Sequence, residues 1–209
     1  MNNIESLYQR SQNLAEFAER YVEYLSSVLR SLDFAVMKEL ENMLESARNS
    51  QSTIFVAGNG GSATTASSMA NDLGFDIVKK ANTDIPFKVL SLTDNNSVVT
   101  AISNDVGYEN VFVNQLKVHY RTGDILIVIS ASGNSPNLIR AVEWVKGRRG
   151  KSVALVGFDG GKLKQLCDVS LHFQSEKGEY GPVEDAHLAL NHILAHWFQN
   201  KLKRTHHTE

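Results

Sequence analysis

Ser130, Ser132 and Ser135 crowd around Gly133 in the stretch Ser130-Ala131-Ser132-Gly133-Asn134-Ser135-Pro136-Asn137. The apolar run Asp124–Ile129 stands directly before it, and Pro136 suits the first turn of a helix starting near Ser135. Hydroxyls and the free N–H groups of a helix start together hold an anion, and a phosphate monoester wants several such donors. Ser135 alone reads as an N-cap, but capping leaves Ser130 and Ser132 unexplained. A second stretch, Gly58-Asn59-Gly60-Gly61-Ser62, follows the β-branched and aromatic run Thr53–Ala57 and opens another helix. Its glycines permit positive φ and close approach of a ligand to the backbone. It has neither the G-x-G-x-x-G spacing of a dinucleotide loop nor the Gly-Lys-Ser/Thr ending of a P-loop. A third, Gly157-Phe158-Asp159-Gly160-Gly161-Lys162, reads as a structural turn with Asp159 capping.

Three histidines, His187, His192 and His196, share the last helical segment. His192 and His196 are one turn apart, and so share a face; Glu184 and His187 form a similar pair. Spacing alone leaves open whether His187 or His192 faces a ligand. His119 and His172 belong to no motif and read as structural. The single cysteine, Cys167, excludes an internal disulfide and any multi-cysteine zinc site.

These groups need a scaffold. Residues 3–32 contain no Gly or Pro and carry apolar residues at a spacing near 3.5, which predicts one long helix with an imperfect seam. A second helix is expected over 34–49, with Asp33 as N-cap. Strands are then expected at 53–57, 87–92, 124–129, 152–157 and 169–173. Helices are expected at 62–80, 95–103, 109–119, 135–147, 161–167 and about 182–203. Such alternation implies an α/β fold: a doubly wound, five-stranded parallel sheet with an N-terminal helical extension. The expected divisions are 1–50 for the N-terminal, oligomer-building helices, 51–203 for the sheet domain and 204–209 for a frayed tail that includes His206 and His207. Lys177-Gly178-Glu179-Tyr180-Gly181 is the loop expected to be mobile.

The formal charge of −2 provides no long-range attraction to nucleic acid or an anionic membrane, so neither is an expected partner. The basic clusters Lys146–Arg149 and Lys201–Arg204 sit where helix C-termini favour cations. The first residues show no basic-then-apolar secretory pattern, and no apolar run approaches the roughly 20 residues of a membrane span. A cytoplasmic location is the expectation.

The three loops, in this order on α/β strands, resemble the sugar isomerase (SIS) domain family, most closely its phosphoheptose isomerases. The flavodoxin-like SIS fold is thus implied over nearly the whole chain. So is aldose–ketose isomerisation of sedoheptulose 7-phosphate to D-glycero-D-manno-heptose 7-phosphate through an enediol, in a homotetramer. SIS sites commonly combine residues of neighbouring subunits. Carried over, the resemblance makes Asn59, Gly60, Gly61, Ser62, Asn104 and Asp105 substrate contacts. Ser130, Ala131, Ser132 and Ser135 become the phosphate loop, with Glu184 also at the substrate. Asp72 and His192 become the acid–base pair. The chain departs from the family at Ser68, where metal-bound members have histidine, at Asp72 for glutamate, and at Glu184 for glutamine. Zinc would therefore be left with three ligands, Asp72, Glu184 and His192. Two other roles fit the fold: a non-catalytic SIS protein that binds a replication initiator or other partner, and an isomerase for a different sugar phosphate.

Overall fold

The computed structural model describes residues 2–205. Three helices come first: α1 (Asn3–Gln9), α2 (Leu14–Arg30) and α3 (Val36–Asn49). Then follow β1 (Thr53–Gly58), α4 (Gly61–Met69), a π-helical segment (Ala70–Phe75), α5 (Asp76–Ala81), β2 (Lys88–Ser91) and α6 (Asn96–Val106). The rest are a 3-10 turn at Tyr108–Asn110, α7 (Val111–His119), β3 (Ile125–Ser130), α8 (Pro136–Lys146), β4 (Lys151–Val156), α9 (Gly161–Leu166), β5 (Val169–His172) and α10 (Tyr180–Thr205). The tail histidines His206 and His207 lie outside the described residues.

All five strands are parallel, in the order β2-β1-β3-β4-β5. Every residue of β3 is buried, as expected for a strand covered on both faces. Alternation along the strands assigns side chains to the two layers. Ile54, Val56, Ile125, Ile127, Ile129, Val153 and Leu155 face a core built with α2, α3, α4, α5 and α10. Phe55, Ala57, Leu126, Val128, Ala154 and Val156 face the opposite core, with α7, α8 and α9. The doubly wound α/β expectation holds. Among the described residues, no helix is long and apolar enough to cross a membrane.

The single N-terminal helix is corrected to two. Asn13 breaks it: its side chain accepts the Glu16 N–H at 3.0 Å and starts α2, and Ser11 turns its hydroxyl back to the Leu7 carbonyl at 2.8 Å. Asp33 does not cap α3 directly. It accepts from the Ala35 amide at 2.9 Å, and α3 begins one residue later.

His187 is fully buried on α10, its ring set edge-on against Phe173 at 5.6 Å. Neither ring nitrogen makes a well-formed hydrogen bond; the Val156 backbone offers only a weak one. Burial pushes its pKa down from 6.5 to about 4. The unfolded chain therefore takes up this proton at higher pH than the fold does. The stability associated with neutral His187 is complete above pH 6.5 and is lost as pH falls towards 4. At 1.36 kcal/mol per unit, the decline is about 3 kcal/mol. Urea unfolding at pH 7.5 and pH 4.5 measures it, and His187→Leu is expected to flatten the difference.

Candidate functional site

In a doubly wound sheet, a ligand crevice opens where neighbouring crossovers leave in opposite directions, beyond the strands' C-terminal ends. Here that point lies between β1 and β3, and both loops picked out in the sequence leave from it. A cavity of about 140 Å³ is lined there by Asn59, Ser62, Ile129, Ser130, Ala131, Ser132, Ser135, Tyr180 and Glu184.

The serine loop is internally tied. The Ser130 hydroxyl accepts the Gly133 N–H at 3.1 Å and lies 3.3 Å from the Ser135 hydroxyl. Ser132 accepts from the Asn134 amide at 3.3 Å. Ser135 does not cap α8 with its side chain. Pro136 has no N–H and the Leu138 N–H is taken by Asn137 Oδ1 at 3.0 Å, which leaves the Asn137 N–H as the first-turn amide open to an anion. The Gly157–Lys162 turn buttresses this loop. Gly133 has φ +62°, and a Cβ there would stand 2.0 Å from the Gly160 carbonyl oxygen. Asn134 accepts the Lys162 N–H at 3.1 Å, and Asp159 accepts from the Gly161 amide at 3.0 Å. The structural reading of the third loop holds.

The first loop is shaped by two glycines. Gly60, at φ 56° and ψ −126°, takes a conformation that L side chains avoid and serves as N-cap of α4. Gly61 lets the Glu184 carboxylate lie against the backbone, where a Cβ would be 2.2 Å from Glu184 Oε2. Among the described residues no hydrogen bond or ion pair holds that carboxylate. Burial, with the neighbouring Asp185 charge second, raises its pKa.

Asn59 is held by partners the sequence did not suggest. It exchanges amide hydrogen bonds with Asn137 at 3.1 and 2.9 Å, and its oxygen also accepts from the Tyr108 hydroxyl at 2.7 Å. Asn104 and Asp105, expected at the substrate, instead bond to each other at 2.9 Å on the exposed end of α6 and line no part of the cavity.

Asp72 lies in the π-helical segment. Its Oδ2 accepts from Asn191 Nδ2 at 2.6 Å and lies 3.7 Å from His192 Nε2. The two residues therefore meet within one subunit. A family model described as the SIS domain matches residues 16–157.

The chain belongs to the SIS domain family.

The phosphoheptose isomerase of a Nitratiruptor species is 38% identical over 151 residues, covering 72% of this chain and 78% of that protein. The phosphoheptose isomerase of Helicobacter pylori is 36% identical over 174 residues, covering 82% of this chain and 86% of its own. Among solved structures, the phosphoheptose isomerase of Neisseria gonorrhoeae superposes with a TM-score of 0.73 at 28% identity, over 89% of this chain and 96% of that one.

Within this SIS domain the zinc set does not fit. Ser68 stands where the resemblance puts another ligand. Among the described residues, no three His, Cys, Asp or Glu side chains gather closely enough to hold a metal ion. The second departure is one of reach: the Asp72–His192 pair lies outside the serine cavity, farther along the helices that leave it.

Proposed function

We propose that this SIS protein interconverts sedoheptulose 7-phosphate and D-glycero-D-manno-heptose 7-phosphate. The observation that carries the reading is the cavity at the β1–β3 switch point, where three serines and the uncapped start of α8 face the Asn59 loop. Ser130, Ser132, Ser135 and the Asn137 N–H hold the phosphate. The sugar extends past Asn59 and Glu184 towards Asp72 and His192. An extended seven-carbon phosphate measures about 10 Å from C1 to phosphorus, at about 1.3 Å advance per bond. That length is comparable to the about 12 Å of α10 between Glu184 and His192.

Isomerisation then needs two proton transfers in each direction. One member of the Asp72–His192 pair removes a proton from C1 while the other protonates the C2 carbonyl oxygen, giving the enediol. The O1 proton then leaves, C2 takes up a proton, and the aldehyde forms at C1.

Glu184 makes phosphate binding pH-dependent. Neutral, it donates a hydrogen bond to an anionic ligand; ionised, it repels one. Because its pKa is raised, KM is expected to climb as pH rises through the titration. Glu184→Gln, an uncharged donor of similar shape, is expected to lower KM and flatten its pH profile. Initial rates from pH 5 to 9 decide this.

The oligomer is part of the same proposal. Phe34, Met37, Ile193 and Trp197 line an apolar groove of about 350 Å³ beside His192 on α10, and Phe34, Ile193 and Trp197 are exposed. A second copy of the chain covers it, and further pairing gives a homotetramer. A monomer in sedimentation would refute this. NMR of the protein with sedoheptulose 7-phosphate, with and without zinc, tests the activity, and absence of turnover in both sinks it.

A further inference from the structure

The deepest carboxylate near the cavity with no task yet is Glu179, only 2% exposed. It sits in the loop expected to be mobile, yet three donors fasten it. The Asn3 N–H reaches it from the start of α1 at 2.6 Å, the Tyr24 hydroxyl from α2, and the Glu176 N–H from its own loop at 2.9 Å. Asn3 Nδ2 also donates to the Tyr24 oxygen at 3.1 Å. Burial and the bond to Glu179 push the Tyr24 phenol up to about 12. A second grip lies six residues on, where the Tyr21 hydroxyl donates to Asp185 Oδ2 at 2.7 Å. A buried carboxylate is costly unless its oxygens are satisfied, so three donors converging on one group make a stiff anchor.

Between the two grips are Tyr180 and Glu184, both walls of the serine cavity. Tyr180 is half exposed, and its one aromatic neighbour is Phe158, edge-on at 5.2 Å. With Ser132 it also borders a hollow of about 340 Å³ next door, so the ring partitions the two spaces. Its own packing is too slight to fix it there; the anchored residue before it does so.

We propose that Glu179 is a positioning residue for the sugar-phosphate site. It hangs the first turn of α10 from α1 and α2, so that Tyr180 closes the serine cavity. This rests on the reading that the cavity takes the phosphate end of the substrate. It gives the N-terminal helices a role in ligand binding, separate from assembly.

The test compares the full-length wild type with Glu179→Gln, Tyr24→Phe, Tyr180→Ala and the Glu179→Gln/Tyr180→Ala double variant. KM and kcat are read with sedoheptulose 7-phosphate, and the Kd of inorganic phosphate by calorimetry. Loss of one charge-assisted anchor is expected to raise KM and the phosphate Kd about tenfold in Glu179→Gln, and about threefold in Tyr24→Phe. Their kcat should stay within about twofold, because uniform binding is what is lost. In the Tyr180→Ala background, Glu179→Gln should add little, since residues acting through one another are not additive. An unchanged KM and Kd in Tyr24→Phe, which keeps the ring and the packing, would overturn the proposal even if Glu179→Gln failed to fold. So would a full tenfold effect persisting in the Tyr180→Ala background. Failure of the wild type to turn over the heptulose phosphate refutes the functional reading instead, and the phosphate Kd series then judges Glu179 by itself.

Discussion

His192→Ala is expected to lower kcat for sedoheptulose 7-phosphate isomerisation at least about 100-fold, the lower end of what one positioned acid–base group contributes. KM should change little. The imidazole stands about 12 Å along α10 from Glu184, beyond the cavity proposed to hold the phosphate, so its removal strips the proposed proton-transfer group and leaves the anion contacts in place. The fold should tolerate the change. The His192 side chain is 56% exposed, and among the described residues its one polar contact is the 3.7 Å approach to Asp72. The measurement is a rate comparison at saturating substrate alongside thermal melting. A variant that melts like the wild type and keeps its kcat would remove His192 from the chemistry. One that loses phosphate affinity in proportion would recast it as a binding residue.

How far such a pair is legible in a sequence depends on which physical signal writes it. The sheet is written plainly. Runs such as Ile125–Ser130 are apolar because both faces are covered, and their boundaries fall within a residue of expectation. The serine loop was legible for the same local reason, since hydroxyls, glycine and proline each have a backbone meaning. The π-helical segment around Asp72 was not. The stretch 62–80 reads as one regular helix, and the extra residue per turn at Ala70–Phe75 shows no change of period in so short a window. Widened turns of this kind occur disproportionately at functional sites. The break before Asn13 was missed for a different reason: propensity and seam are continuous across it, and one side-chain cap decides.

Contacts between distant loops were the least legible. Nothing near Asn59 in sequence announces Asn137 or Tyr108. A signal for Asn137 was nevertheless present, because an amide two residues into a helix that follows a ligand loop is poorly placed to face solvent. Glu179 reversed an expectation outright. Its Gly-flanked position looks like a flexible turn, with Gly178 at φ +95°, yet the carboxylate is buried by donors more than 150 residues away. Asn104 and Asp105, a dipeptide matched to the family pattern, lie on an exposed helix end of this chain, away from the serine cavity, and the neighbouring Tyr108 reaches the Asn59 loop.

Asp72→Asn is expected to cost kcat about 10²–10⁴-fold, because an amide of almost the same shape can neither take nor give the reacting proton. The structure explains why this variant should fold. Asp72 Oδ2 accepts from Asn191 Nδ2, while Asn191 Oδ1 is buried without a hydrogen-bond partner. Turning the Asn191 amide over presents that oxygen to the amide introduced at position 72, so the contact survives with its polarity reversed. Asp72→Glu is the informative companion. It keeps the carboxylate and extends it by about 1.5 Å, one C–C bond, into the gap before His192. If the π-helical turn places a short arm correctly, the longer arm overshoots. Turnover should then fall about 10-fold to 100-fold, the scale of a misplacement near 1 Å. Should Asp72→Glu instead outperform the wild type, the π-helical turn would not be what sets the reach of the carboxylate. Should Asp72→Asn keep its kcat, Glu184, the free carboxylate already in the cavity, would take over the place assigned here to Asp72.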